Sequence, residues 1–296
     1  MPKVASNGVE IEYERFGPVD DTPILLIMGL GAQLTRWRPE FIERLTRRGR
    51  GVIRFDNRDV GLSTHLDSAP VPPVEEVIAA KLGGRPTPAP YDLSDMARDA
   101  LGLMDALQIE RAHLVGASMG GMIAQETAFL APERVETLTS IMSTTGGWDL
   151  PPPTPEAIAV MTGPAPKPSD RTAFAEHGVR VWRTIGSPGF PPDDDETRAR
   201  VLADADRAYD RAGYGRQMAA IYASGDRRER VRRITAPTLV IHGDRDPLVP
   251  VEGGRDTAAC VPGAQLMIIE GMGHDLPAAL YDRIAEAILA NVARAG

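Results

Sequence analysis

Apolar residues fall along the chain into two alternating kinds of run. Short unbroken runs occur at Ile24 to Met28, Val52 to Phe55, His113 to Val115, Leu138 to Met142, Thr238 to Ile241 and Leu266 to Ile269. Runs without polar alternation suit strands that are covered on both faces. Between them lie stretches with helical spacing: Phe41 to Arg47, the series Met96/Ala100/Leu101/Met104/Leu107, Met122 to Leu130, and the series Leu276/Leu280/Ile284/Ile288/Val292. Strand and helix in alternation predict an α/β fold with a mostly parallel central sheet and helices on both faces. The segment Val9-Glu10-Ile11-Glu12-Tyr13 alternates with period two, which predicts a half-exposed antiparallel strand in an opening hairpin. A turn at Asp20-Asp21-Thr22-Pro23 follows it.

The rhythm breaks between residues 146 and 233. Pro151, Pro152, Pro153, Pro155, Pro164, Pro166 and Pro168 disfavour a sheet strand, and Phe174 to Ile185 and Thr197 to Ile221 read as helices. The strand pattern resumes at Ile234-Thr235-Ala236-Pro237. Residues 1–145 and 234–296 are therefore expected to form one core, with 146–233 as a helical cap inserted after the sixth strand. Pro191-Pro192-Asp193-Asp194-Asp195 is expected as an exposed turn. The basic run Arg227 to Arg233, interleaved with Glu229 and Val231, is expected as a solvated helix face.

Composition narrows the function classes. The 296 residues, 43% of them hydrophobic, suffice for one large α/β domain or two modest ones. No run approaches the roughly 18 apolar residues of a membrane span, and the first residues carry no signal-peptide pattern, so a cytoplasmic protein without a membrane partner is expected. A formal charge of -8 argues against a nucleic-acid partner. The single cysteine, Cys260, rules out an intrachain disulfide or a multi-cysteine metal site and is expected as a packed thiol near a helix end. No metal is expected.

The chemistry lies in three segments, each following an apolar run. The first is Gly116-Ala117-Ser118-Met119-Gly120, where small residues permit a sharp strand-to-helix turn that exposes the Ser118 hydroxyl. The second is His242-Gly243-Asp244-Arg245-Asp246-Pro247, and the third is Gly271-Met272-Gly273-His274-Asp275. Groups at the carboxyl ends of parallel strands share one edge of the sheet. His274 is suited to remove the Ser118 proton because imidazole titrates near neutral pH. Asp246 is expected to accept the other ring N–H, with Asp244 as the alternative, because Pro247 implies that the strand has already turned. Asp275, followed by Leu276-Pro277, reads as a helix N-cap. The backbone N–H of Met119, at a helix start, is placed to meet a developing oxyanion. His113 is expected in the core, His242 as a structural residue of its turn and His177 in the cap, while His65 is weighed as an approach to the pocket.

The order Ser, Asp, His resembles the α/β-hydrolase superfamily, and the resemblance extends to Asp56-Asn57-Arg58-Asp59-Val60-Gly61-Leu62-Ser63. Within it, Met28-Gly29-Leu30-Gly31, Gly225-Asp226-Arg227-Arg228 and the segment 271–275 are similar to the aclacinomycin methylesterase group. The resemblance implies an α/β-hydrolase fold and a Ser118-His274-Asp246 triad, the family's His-Gly-x-x-Asp spacing selecting Asp246. It also implies Leu30 as the second backbone donor of an oxyanion hole, because Gly29-Leu30-Gly31 stands where the family commonly has His-Gly-x. Met28 replaces that histidine. The Gly-rich segment is too short, and lacks the Lys-Ser/Thr pair, for a phosphate cradle, so no cofactor is expected.

The expected activity is therefore hydrolysis of a small or medium soluble carboxylic ester through an acyl-enzyme. Carbon-carbon bond hydrolysis or perhydrolysis on the same triad is an alternative, and a ligand-binding protein with the hydrolase fold and slow or no turnover is one of another class. Trp148, Met161, Phe174, Trp182, Phe190, Tyr209, Tyr214 and Tyr222 are the pocket candidates. Monomer and homodimer are equally compatible with the pattern.

Overall fold

The computed structural model describes residues 2–18 and 22–295, so Asp20 and Asp21 of the expected turn lie outside the described residues. Eight strands form one sheet: β1 (Lys3–Ser6), β2 (Val9–Phe16), β3 (Ile24–Ile27), β4 (Val52–Phe55), β5 (Ala112–Ala117), β6 (Val135–Ile141), β7 (Thr238–Gly243) and β8 (Gln265–Ile269). Their spatial order is β1-β2-β4-β3-β5-β6-β7-β8. The opening hairpin pairs antiparallel, and β2 pairs antiparallel with β4. All later neighbours are parallel. Each of the six unbroken apolar runs coincides with a strand.

Among the described residues four α-helices precede β6: α1 (Pro39–Thr46), α2 (Val74–Leu82), α3 (Leu93–Ala106) and α4 (Met119–Leu130). Five lie between β6 and β7: α5 (Pro155–Thr162), α6 (Arg171–Ile185), α7 (Asp194–Arg207), α8 (Arg211–Ser224) and α9 (Arg228–Val231). The chain closes with α10 (Val251–Cys260) and α11 (Tyr281–Val292). Alternate residues of one strand serve opposite layers. Ile24 and Leu26 of β3 join the cluster built on α1 and α11, whereas Leu25 and Ile27 join the one built on α3 and α4. Both faces are covered, which is why the strand reads as a continuous apolar run.

Several local expectations change. Glu12 is buried along with Ile11, because Arg207 of α7 approaches it and Ser63 Oγ accepts its backbone N–H at 2.9 Å. The span read as one helix over Thr197 to Ile221 is two, α7 and α8, broken at residues 208–210. Within the proline-rich stretch Pro155 opens α5, and Thr154 Oγ accepts the Ala157 N–H at 3.2 Å. The exposed turn at 191–195 ends as the start of α7, with the Asp193 carboxylate taking the Glu196 N–H at 2.8 Å.

The basic run is not uniformly solvated. Arg227 is fully buried, with its Nε 3.4 Å from Glu126 of α4 and its Nη2 donating to the Thr144 carbonyl at 2.6 Å. Burial lowers the Arg227 pKa to about 10 despite the attraction of Glu126. Cys260 is a free, buried thiol at the end of α10, as its surroundings in the sequence imply. No helix among the described residues is long and apolar enough to cross a membrane.

Candidate active site

Ser118 sits between β5 and α4 with φ 56° and ψ -123°, a conformation that L-residues rarely adopt. Close packing on both sides holds it there. A Cβ at Gly120 would lie 2.0 Å from the Ile27 carbonyl oxygen, and one at Gly116 would lie 2.1 Å from that of Gly120. The Ser118 N–H donates to the Ile141 carbonyl at 2.9 Å, tying the turn to β6. The glycines at 116 and 120 thus permit backbone contacts that any side chain would block.

Asp246 follows β7 and His274 follows β8, so both reach the edge that carries Ser118. His274 Nε2 lies 2.9 Å from Ser118 Oγ, and its Nδ1 lies 2.7 Å from Asp246 Oδ2. The other carboxylate oxygen, Oδ1, accepts the backbone N–H groups of Leu248 at 2.9 Å and Val249 at 2.8 Å. Burial works to raise the Asp246 pKa, but His274 and His242 outweigh it by attraction and hydrogen bonding and bring it to about 2. An ionised Asp246 fixes His274 with its proton on Nδ1 and leaves Nε2 as the acceptor of the Ser118 hydroxyl. Asp244 is elsewhere, accepting the Gly271 N–H at 2.7 Å.

Leu30 lies on the loop after β3, against the same turn. A Cβ at Gly29 would be 3.0 Å from Ser118 Cβ, so this loop passes directly beside the hydroxyl. Where a histidine is common, Met28 is supported through its backbone: Asn57 Nδ2 donates to the Met28 carbonyl at 2.8 Å. Gln217 of α8 accepts the Gly31 N–H at 2.8 Å. The buried Asp56 carboxylate accepts the N–H groups of Leu34 at 2.7 Å and Leu62 at 2.8 Å and meets Arg207 at 2.7 Å. The motif at residues 56–63 is thus a brace for the Leu30 loop. Among the described residues, no protein group accepts the backbone N–H of Leu30 or Met119.

The segment between β6 and β7 does more than cover this edge. His274 N–H donates to the Ile185 carbonyl at 2.7 Å, Gly273 N–H to Ser187 Oγ at 2.8 Å, and Gly189 N–H to the Gly271 carbonyl at 2.9 Å. Ser187 Oγ in turn donates to Asp275 Oδ1. Asp275 therefore does not cap a helix, correcting that expectation; Pro277 and Leu280 precede the following helical turns. Burial raises its pKa against the opposing hydrogen bond from Ser187. Four contacts from residues 185–190 hold the loop that carries His274.

A cavity of about 890 Å3 opens over Ser118 and His274. Met28, Leu30, Met122 and Met142 come to it from the core, and Trp148, Met161, Trp182, Phe190 and Tyr222 from the helical segment. Three of the aromatic candidates lie outside it. Phe174 and Tyr209 pack edge to face with centroids 5.5 Å apart, and Tyr214 covers Gly31 while donating to the Met161 carbonyl at 3.0 Å.

The remaining histidines are structural. His113 Nδ1 is 3.0 Å from Thr137 Oγ, and burial pushes its pKa down to about 4. His242 Nε2 donates to the Val249 carbonyl at 2.8 Å, and His177 lies on α6. His65 does not reach the cavity; its ring nitrogens face Asp210 at 2.8 Å and the Gly61 carbonyl at 2.9 Å. Asp59, His65 and Asp210 bring ligand atoms within 4.8 Å of one another. Those atoms are engaged, because Asp59 accepts Arg216 at 2.7 and 2.9 Å, Tyr91 Oη at 2.8 Å and the Leu66 N–H at 2.7 Å.

A Ser–His–Asp hydrogen-bonded line at the carboxyl ends of parallel strands, beneath the helices between β6 and β7, places the protein among the α/β-hydrolases. The chain belongs to the alpha/beta hydrolase fold family, whose model matches residues 22–277. It is 32% identical to the rhodomycin D methylesterase DnrP of Streptomyces peucetius and 33% identical to DauP of Streptomyces sp. (strain C5), covering 97% of this chain and 96% of each relative. A meta-cleavage product hydrolase from Pseudomonas fluorescens superposes with a TM-score of 0.76 at 20% identity, over 100% of this chain and 98% of that one. An enol-lactonase from Burkholderia xenovorans gives 0.74 at 24% identity, over 99% of this chain and 100% of that one. At those identities the likeness to the two structures concerns the fold.

Proposed function

We propose that the protein is a serine esterase that hydrolyses a carboxylic ester through an acyl-Ser118 intermediate, with residues 146–233 as the cap that shapes its substrate pocket. The observation that carries this reading is the line Ser118 Oγ, His274, Asp246, at 2.9 and 2.7 Å, opening into the cavity. In the first half-reaction Ser118 Oγ bonds to the ester carbonyl carbon while its proton passes to His274 Nε2. Asp246 stabilises the imidazolium, and the backbone N–H groups of Leu30 and Met119 receive the oxyanion. Collapse breaks the bond to the alkoxy oxygen, which takes the proton from Nε2 and leaves as the alcohol. Water then adds to the acyl-serine by the same proton route and releases the acid.

Two relatives named as methylesterases support an ester substrate. A largely apolar cavity of about 890 Å3 favours a medium-sized acid part over acetate-sized ones. The test is hydrolysis of p-nitrophenyl and methyl esters, compared with amides, lactones and ring-cleavage dienes, by wild type and Ser118→Ala. Ester turnover over many cycles should fall by at least about 10^4-fold in the variant. Undiminished turnover in Ser118→Ala, or a single burst without turnover in the wild type, would overturn the proposal.

A further inference from the structure

One wall of the cavity carries a cation, Arg200, with no direct ion pair of its own among the described residues. Glu196, Arg200 and Asp204 stand one helical turn apart on α7, and the loop after β3 brings Arg36 and Arg38 against them. Arg38 Nη2 pairs with Glu196 at 3.0 Å and Arg36 Nη2 with Asp204 at 2.9 Å, so both acids that flank Arg200 are taken by other arginines. Arg200 forms no ion pair among the described residues. Its one polar contact is Nη2 to Thr197 Oγ at 3.4 Å, and its Nε is buried without a partner. The guanidinium stands over Trp182 at 5.6 Å, on a ring that also meets Arg36 at 4.9 Å.

The other charges at the cavity are engaged. Of its acids, Asp193 caps α7, Glu196 pairs with Arg38, and Asp275 is held by Ser187 and attracted by Arg200 only through space, without a hydrogen bond between them. Arg227 also has a buried Nε and Nη1 without hydrogen-bond partners, but unlike Arg200 it is paired with an acid, Glu126, at 3.4 Å. A half-buried cation with an orphaned N–H is costly unless an anion completes it. A guanidinium offers a planar fork that fits a carboxylate, and an apolar surround strengthens the attraction. Arg200 lines the same cavity as Ser118 and His274.

We propose that Arg200 is an anion anchor, and that the substrate is a half-ester: a medium-sized, largely apolar molecule bearing a free carboxylate at a distance from the ester that is cleaved. This rests on the esterase reading of the site. It makes Arg200 a specificity-determining residue outside the hydrogen-bonded line of the hydrolase.

The test uses the mono-p-nitrophenyl esters of straight-chain dicarboxylic acids from glutaric to sebacic, each beside its neutral counterpart with the far carboxylate methylated. At the best length, wild-type kcat/KM should favour the charged ester about tenfold, and Arg200→Gln should remove that preference while Arg200→Lys keeps part of it. The preference should also weaken as salt is raised on the wild-type enzyme, a readout that survives if Arg200→Gln fails to fold. Equal rates at every length, a preference that persists in Arg200→Gln, or one indifferent to salt would overturn the proposal. Calorimetry of monomethyl dicarboxylates on Ser118→Ala, with and without Arg200→Gln, reads the anchor without turnover. Arg200-dependent binding with no ester cleaved by the wild type would leave the anchor standing and remove the esterase. Ester cleavage with no Arg200-dependent binding would do the reverse.

Discussion

The Ser118 turn and the His274 loop meet within a hydrogen bond of each other, yet they are held from opposite sides. The Ser118 turn is fixed by the core itself, through Ile27, Ile141 and the glycines at 116 and 120. The His274 loop is held on one side by Asp246 and on the other by the segment between β6 and β7, through Ile185, Ser187 and Gly189. One half of the site is a property of the sheet. The other half depends on a segment whose main task in the proposed reaction is to shape the substrate pocket, so substitutions in the two regions should register in different measurements.

The largest effect should come on the Ser118 side, where Arg227, near the end of the segment between β6 and β7, reaches α4. Arg227→Ala removes the fully buried partner of Glu126 on α4, the helix that starts at Ser118, and should cost about 3–5 kcal/mol of stability in urea unfolding. Arg233→Ala, at an exposed position of the same run where the guanidinium stands over the Phe129 ring at 5.0 Å, should cost no more than about 1 kcal/mol. Equal effects would mean that the run is a solvated face after all. Ser187→Ala acts on the other half. It should lower kcat about tenfold with KM and melting temperature much less affected, because its hydroxyl orders the His274 loop through Gly273 and Asp275. A change confined to KM would assign Ser187 to the pocket instead.

A third effect is a slope in pH. His113 lies on β5 beneath the Ser118 turn, and its folded pKa of about 4 is below the ordinary value of about 6.5. The unfolded chain therefore takes up this proton first as pH falls. Stability from this group is full above about pH 6.5, declines towards pH 4 and stops changing below it. Urea midpoints for wild type and His113→Gln across that window should differ by this slope, and parallel curves would refute the assignment.

Much of this architecture was legible along the chain, for physical reasons that also mark where legibility ends. Strands covered on both faces write themselves as apolar runs, as β3 to β7 do, whereas β8 carries such a run at the sheet edge with Leu266 exposed; the segments with Ser118, Asp246 and His274 follow three of the six runs. Helix α10 escaped because its buried positions are mainly Gly253, Gly254, Thr257 and Cys260, which leave no large-residue periodicity. Arg227 misled because its partner Glu126 is about a hundred residues away, and a charge run carries no sign of such a partner. Asp275 misled in the opposite way: a local capping signal was overridden by Ser187, which only the fold brings near. The braces Asn57 and Gln217, and the isolation of Arg200, likewise exist only once distant segments meet.

The contacts between residues 185–190 and 271–275 bear on how a fold of this kind can be recombined. Gly189 and Gly271 approach so closely that a Cβ on either would come within 2.9–3.0 Å of the other's Cα, and a Cβ on Gly273 would lie 2.3 Å from the Gly186 carbonyl oxygen. An insertion exchanged with a relative to graft a new substrate range would bring its own version of that surface beneath the proposed general base. Segments 185–190 and 271–275 therefore form one unit of inheritance although some eighty residues separate them, and a chimera that splits them should bind its new ligand before it can turn it over.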